Sequence, residues 1–194
     1  MTGQHVTGTV VRPLRADARR NRDAILRAAR EAFEAEGALT SLDGIAARAG
    51  VGNATLYRNF PTRDDLLAAV MESSIAAAVS EADELSGTLS PREALAEWLV
   101  RLTWRLRVWH DLPTCLVGTG GGDGSPVQSA CHPLLVRTRA LVQAAASADA
   151  TVEAVTGDEL WELVLALSWG VDRFGDDEVA ARRRATLATA GIFT

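Results

Sequence analysis

The sequence predicts an all-α fold: a small N-terminal three-helix head with a helix-turn-helix, then a larger helical body, about nine helices in all. Three observations predict it. Apolar residues recur at helical spacing along most of the chain, without strand-like alternation of useful length and without an internal repeat. Capping residues, Gly and Pro fall where such helices should start and stop. The charge is also unevenly spread. Residues 1–60 hold nine Arg against six acids, a net of +3, whereas the remainder holds 11 Arg against 19 acids, a net of −8. A basic head on an acidic body suggests a polyanionic partner for the head alone.

Residues 1–18 contain Gly3, Gly8 and Pro13 and little periodicity, and are expected to form a flexible basic arm. A helix is expected from about Arg19 to Glu36, with Ile25, Leu26, Ala29, Ala32 and Phe33 on its apolar face and Gly37 as its stop. A short helix should run from about Leu42 to Ala49, capped by Thr40 or Ser41 and ended by Gly50. Another should cover Asn53 to Asn59, closed by Pro61. Thr62-Arg63-Asp64-Asp65 resembles a capping box opening a fourth helix to about Leu85, broken at Gly87. Ser90-Pro91-Arg92-Glu93 is a stronger start, for a helix to about His110. A Gly-rich loop over residues 117–126 precedes three helices at about 127–147, 158–172 and 177–190.

Two short helices separated by Gly50-Val51-Gly52 and preceded by a longer one describe a helix-turn-helix. Ile45 and Ala46 must pack on Leu56, Val51 fills the corner, and Leu56 with Phe60 anchors the second short helix to the first long one through Phe33. Left outside are Asn53, Ala54, Thr55, Tyr57, Arg58 and Asn59, short polar, aromatic and cationic groups suited to a major groove.

These residues closely resemble the TetR family. The stretch Ile25-Leu26-Arg27-Ala28-Ala29-Arg30-Glu31-Ala32-Phe33 with Gly37 is similar to the family's first helix, and Leu42 through Val51 to its second. Thr55-Leu56-Tyr57-Arg58-Asn59-Phe60-Pro61-Thr62-Arg63-Asp64-Asp65-Leu66 is similar to the recognition helix and the start of the fourth. The match covers about residues 19–67; beyond it only helical pattern and length agree. The chain has Gly52 and Ala54 where the family usually has Ser and Gly, so no base preference carries over. The resemblance implies a helix-turn-helix DNA-binding domain at 19–66 and an effector-binding and dimerisation domain at 67–194. It implies that Thr55 and Tyr57 contact phosphate or base edges, that Arg48 reads bases, and that Thr40 and Arg63 hold phosphate; Asn53 and Arg58 join them as exposed groups of the same helix.

All five Trp lie beyond residue 97. Trp98, Leu102, Arg105 and Trp109 form one helical stripe, with Trp104 and Val108 on another face. Such a helix is buried on two sides or lines a cavity. By resemblance the stripe is a candidate effector wall; plain core aromatics are the competing account. Arg105 would meet an acidic group, stack on the rings, or extend to solvent. The last two helices carry Leu160, Trp161, Leu163, Val164, Leu167 and Trp169, then Val179, Leu187 and Ala190. Their apolar surface exceeds what a chain this short can cover. The resemblance implies a four-helix bundle with a second subunit, in which Leu160, Trp161, Val164, Leu167 and Leu187 take part.

Every basic residue of the Lys+Arg class is Arg, which excludes a Walker lysine and a Schiff-base lysine. The Gly-rich stretch 118–124 lacks the third Gly of a dinucleotide fingerprint and follows no strand. His110, Cys115, Cys131 and His132 match no zinc template. No enzyme, cofactor or metal is expected. The two Cys suit free thiols in a reducing cytosol, and Leu163 to Val171 is too short to span a bilayer, so a cytoplasmic protein is expected. Together with the resemblance, this gives a ligand-responsive regulator, a repressor in the family's usual mode. It would bind a palindromic DNA operator as a homodimer and be released by a small, mostly apolar effector.

Overall fold

The computed structural model describes the backbone of residues 12–107, 125–151 and 155–194, and their side chains from residue 16 onward. Among the described residues eight α-helices follow one another: α1 (Arg12–Glu36), α2 (Leu42–Arg48), α3 (Asn53–Asn59), α4 (Arg63–Thr88), α5 (Pro91–Leu106), α6 (Pro126–Ser147), α7 (Gly157–Phe174) and α8 (Glu178–Thr189). A 3-10 turn, Ala190–Ile192, ends the chain. Among the described residues there is no strand, only one isolated antiparallel bridge between Thr151 and Phe193.

Helix starts follow from capping chemistry. Ser41, rather than Thr40, caps α2, its hydroxyl accepting from the Gly44 amide. Complete capping boxes open α4 with Thr62 and Asp65, α5 with Ser90 and Glu93, and α7 with Thr156 and Glu159. Each satisfies two backbone N–H groups that have no acceptor inside the helix. Two boundaries differ from expectation. α1 begins at Arg12 instead of about Arg19, since Pro13 falls in the first turn, where a missing N–H costs nothing. α4 passes through Gly87 to Thr88, because one Gly near a helix end costs only about 1 kcal/mol. The helix stops instead at Leu89, ahead of the Ser90-Pro91 start.

One continuous core joins head and body. In the head, Ile25 and Phe33 of α1, Ile45 of α2, and Leu56 with Phe60 of α3 are fully enclosed. Each such side chain contributes about 1.5–3 kcal/mol relative to exposure. The α2–α3 corner depends on Gly50, whose φ of +67° places it in the left-handed region. There its amide and that of Val51 donate to the carbonyls of Ala47 and Ala46, closing α2.

In the body, α4 packs on α5 and α6, while α5 also packs on α7 and α8. The N-terminal half of α4 also packs on α1, so the helix belongs to both halves of the molecule. Arg30 of α1 fixes that junction, donating to the Val70 carbonyl and the Ser73 hydroxyl, each at 3.1 Å.

Candidate nucleic-acid interface and effector body

The second short helix presents the residues that its sequence pattern promised. Leu56 turns inward and the α3 C-cap Phe60 is buried, which leaves Asn53, Ala54, Tyr57 and Arg58 exposed and Thr55 and Asn59 half-buried. Tyr57 is 45% exposed, high for an aromatic side chain. The Asn59 amide donates to the Thr55 carbonyl at 2.8 Å and tightens the last turn. Gly52, not Asn53, is the N-cap of α3, and it offers no side-chain bond. Asn53 instead donates to the Asp43 carboxylate of α2 at 2.9 Å, tying the two short helices together at their N-termini.

Arg48 and Thr40 are brought together by a residue the sequence reading did not single out. Glu36, at the end of α1, accepts from the Thr40 hydroxyl at 2.6 Å and forms an ion pair with Arg48. The Thr40 hydrogen bond, then Arg48, hold the Glu36 carboxyl below the usual carboxylate range. Nothing in spacing alone announces this pairing, because Glu36 and Arg48 lie on different helices across a turn. Arg63 also has a different neighbourhood from a free phosphate clamp. It donates to the Ala38 carbonyl at 2.9 Å and to that of Thr40, so it braces the α1–α2 turn.

The body departs further from expectation. Trp98 and Leu102 are not an open wall. They are 1% and 0% exposed, inside the closed core between α5 and its neighbours. The Trp98 indole donates to the Thr138 hydroxyl of α6 at 2.9 Å, the satisfied geometry of a core tryptophan. Arg105 faces another way, to Glu81 of α4 at 2.5 Å, so the anion expected from a ligand is already supplied by the protein. Trp109 lies outside the described residues, as do Val108, His110, Cys115 and the loop 118–124.

Arg105 instead borders a cleft of about 540 Å³ where α1, α4, α5 and α8 meet, together with Arg30, Glu81, Glu97, Arg101 and Trp104. Its charges largely answer one another. Glu81 binds Arg101 and Arg105, while Glu97 binds Arg101 and receives both terminal nitrogens of Arg182 at 2.7 and 2.9 Å. Between α4 and α6 lies a second depression of about 590 Å³. Its lining is mostly apolar, with Ala69, Ile75, Ala76, Val79, Ala130 and Pro133.

Of the five expected dimer residues, Leu160 and Val164 are buried within the chain's own core and Trp161 and Leu167 are half-buried, so the first two do not face outward. Leu187 is 68% exposed. Three large neighbours on the same two helices and their junction join it in solvent: Trp169, Phe174 and Val179. Part of the signal was in the sequence, since Trp169 falls on the side of α7 opposite to Leu160, Val164 and Val171.

Among the described residues no group of His, Cys, Asp and Glu could hold a metal ion, and no helix is long and apolar enough to cross a membrane. Burial pushes the Cys131 thiol up to about 12, far from a reactive thiolate.

A helix-turn-helix head that shares α4 and a continuous core with a helical body is the architecture of a DNA-binding transcriptional regulator. The family can be named. Residues 25–70 match the model of bacterial regulatory proteins of the tetR family, and residues 90–193 match that of the SbtR-like transcriptional regulator C-terminal domain. A TetR transcriptional regulator of Streptomyces coelicolor is 30% identical, with 89% of this chain and 98% of that one covered and a TM-score of 0.57. A TetR regulatory protein of Mycobacterium vanbaalenii is also 30% identical, over 94% of this chain and 100% of that one, with a TM-score of 0.54. The fold, at 15% identity, is shared with the regulator FadR of Bacillus subtilis, solved in complex with stearoyl-CoA, over 88% of this chain and 98% of that one, with a TM-score of 0.64. No curated protein matches the chain. The chain belongs to the TetR family of transcriptional regulators.

Proposed function

We propose that this regulator is a repressor that binds a palindromic operator as a homodimer and is released by a small, mostly apolar effector. The observation that carries the DNA half is the outer face of α3. Asn53, Thr55, Tyr57 and Arg58 stand on a helix whose inner residue Leu56 and whose C-cap Phe60 are both buried, so the helix is fixed while Tyr57 and Arg58 stand exposed on its outer face beside Asn53, which reaches Asp43. Arg48 and Thr40 lie beside it on Glu36, and exchange that carboxylate for a base edge or a phosphate when DNA arrives. Arg63 supports the same surface by holding the turn that carries Thr40.

The exposed Trp169, Phe174, Val179 and Leu187 support a two-fold pairing through α7 and α8, since large apolar groups gathered on adjoining helices favour a partner surface. The apolar depression on α4 and α6 supports an apolar effector, in place of the Trp98–Leu102 wall. It touches α4, which continues through Thr62 and Pro61 into α3, so a wedge there tilts the DNA-reading helix. A coupling of about 1–3 kcal/mol suffices for a switch.

Selection of bound DNA from a random pool, followed by gel shift with apolar candidate ligands, tests the proposal. The expected product is a palindrome with half-site centres about 10–10.5 base pairs, or a multiple, apart. A tight, non-palindromic site bound by one protomer would overturn it.

A further inference from the structure

We propose that Glu36 sets how sharply this regulator tells its operator from other DNA, by keeping Arg48 off phosphates until a base edge takes the carboxylate's place. The inference rests on the DNA-binding role proposed above, and it makes Glu36 a positioning residue that acts through Arg48.

Three observations converge. First, both oxygens of one carboxylate are engaged by two of the groups proposed to meet DNA. The Thr40 hydroxyl donates to Oε2 at 2.6 Å, and a terminal nitrogen of Arg48 pairs with Oε1. Second, the carboxylate is held in place for this. Glu36 is the last residue of α1, Gly37 turns the chain at once with a φ of +91°, and Arg63 fixes the Ala38 and Thr40 carbonyls of the same turn. Its hydrogen bonds keep the Glu36 carboxyl below the usual range, so it is charged at neutral pH. Third, the pair is not locked. Both side chains are nearly half exposed, and Arg48 has no other ion pair among the described residues. Exposed pairs of this kind are weak and exchange readily. Asn53, held by the Asp43 carboxylate at 2.9 Å, repeats the arrangement between the two short helices.

A carboxylate on a surface that must meet a polyanion works against binding unless it has a task. On random DNA a phosphate offers Arg48 one anion in place of another. That exchange gains little and leaves Glu36 bare beside the strand. Arg48 therefore stays on Glu36 and adds no phosphate contact. A base edge with paired acceptors, such as that of guanine, is different: it fits the guanidinium fork and carries no net charge to repel the carboxylate. Arg48 leaves Glu36 for that edge. Non-specific binding is almost wholly phosphate contact, so a parked arginine lowers it while the operator keeps its base contact.

The test uses the full chain, the operator recovered by selection, and a duplex of the same length and random sequence. Binding is followed by fluorescence anisotropy across salt. Glu36→Gln should tighten binding to the random duplex about eightfold at about 0.1 M salt and steepen the slope of log K against log salt by about 0.9, one added phosphate contact. Operator affinity should rise only about twofold, the gain from releasing an exposed pair, so discrimination falls about fourfold. Adding Arg48→Ala to Glu36→Gln restores the net charge of the wild type, and should return slope and affinity on the random duplex to wild-type values. Glu34→Gln removes the same charge from nearly the opposite side of α1, where Glu34 borders the cleft between head and body, and should leave discrimination unchanged. Thermal midpoints should stay near that of the wild type, since the pair is exposed. A Glu36→Gln protein with unchanged slope and discrimination overturns the proposal and leaves the α3 interface standing. So does a steeper slope that survives in the double variant, or one that Glu34→Gln reproduces, since bulk charge is then the cause. A wild type that selects no operator overturns the α3 interface and this inference with it.

Discussion

The indole N–H of Trp98 on α5 donates to the hydroxyl of Thr138 on α6, at 2.9 Å, in a part of the core where neither side chain meets solvent. The Thr138 hydroxyl in turn donates to the Leu134 carbonyl, also at 2.9 Å, so both polar groups are satisfied. Thr138→Val removes the acceptor and buries an unpaired indole N–H, which should cost about 1–3 kcal/mol. Trp98→Phe removes the donor and some volume, and should cost a similar amount. The double variant should lose clearly less than the sum, because no polar group is then left alone. Urea denaturation of the four proteins measures this. Strict additivity would show that the hydrogen bond carries no coupling energy.

Gly157, at the start of α7, sits against the backbone of α6. A Cβ at this position would lie 2.7 Å from the Arg139 Cα and 2.6 Å from its Cγ. The side-chain atom can swing aside, but the backbone atom cannot without parting the two helices. Gly157→Ala should therefore destabilise by about 1–3 kcal/mol, the range of overpacked cores, although Ala favours helices. A thermal midpoint equal to or above that of the wild type would contradict the close approach.

How much of this was legible follows physical lines. The head was readable because its elements are local: Gly37, Gly50 and Pro61 punctuate it, and Ile45, Leu56 and Phe60 leave only one way to pack. The capping boxes at Thr62 and Ser90 were readable for the same reason. Pairings across turns were not. Glu36 finds Thr40 and Arg48 only once the α1–α2 turn exists. The α5 stripe misled because that helix has neighbours on several sides. Trp98 and Leu102 meet the core while Arg105, on the expected stripe, reaches Glu81. Leu160 and Val164 misled similarly: wide apolarity marked α7 as doubly covered, but not which residues face inward.

Arg63 illustrates how a bracing role separates from a contact role. Its hydrogen bonds to the Ala38 and Thr40 carbonyls hold the turn between α1 and α2. Arg63→Ala should lower stability by about 1–2 kcal/mol even without DNA, with operator affinity falling for all sequences alike. Arg48→Ala should relax base preference and leave the thermal midpoint nearly unchanged, since its pair with Glu36 is exposed. Identical midpoints for Arg63→Ala and wild type would show the brace to be idle.

Acid should weaken the α5–α8 contact. Hydrogen bonds from Arg182, and then from Arg101, hold the Glu97 carboxyl at about 2, below the ordinary 4.5. A carboxyl depressed on folding stabilises fully above its unfolded value and loses that contribution as pH falls through its folded value. Between pH 4.5 and 2 the wild type should lose about 1–2 kcal/mol from this group, a figure reduced from the full shift because Glu97 is partly solvated. Glu97→Gln should be less stable at pH 7 and flatter over that window. Parallel pH profiles for the two proteins would sink the assignment.

The exposed apolar groups of α7 and α8 give the last prediction. Leu187 and Val179 are 68% and 77% exposed, Phe174 is 70% exposed, and Trp169 is 47% exposed. In a lone chain each pays nothing to become charged, because none supports the core. In a homodimer each is enclosed, and a buried carboxylate without a partner is far costlier than the exposed one. Leu187→Glu and Phe174→Glu should therefore shift sedimentation from dimer to monomer at micromolar concentration while circular dichroism stays helical. Operator affinity should fall sharply, as two half-sites can no longer be held together. Leu160→Ala should behave in the opposite way. Its side chain is 3% exposed inside the chain's own core, so truncation should cost about 2–5 kcal/mol of folding stability while the surviving folded protein still dimerises. A wild type that sediments as a monomer, or a Leu187→Glu variant that remains a dimer and binds operator normally, would place the pairing surface elsewhere.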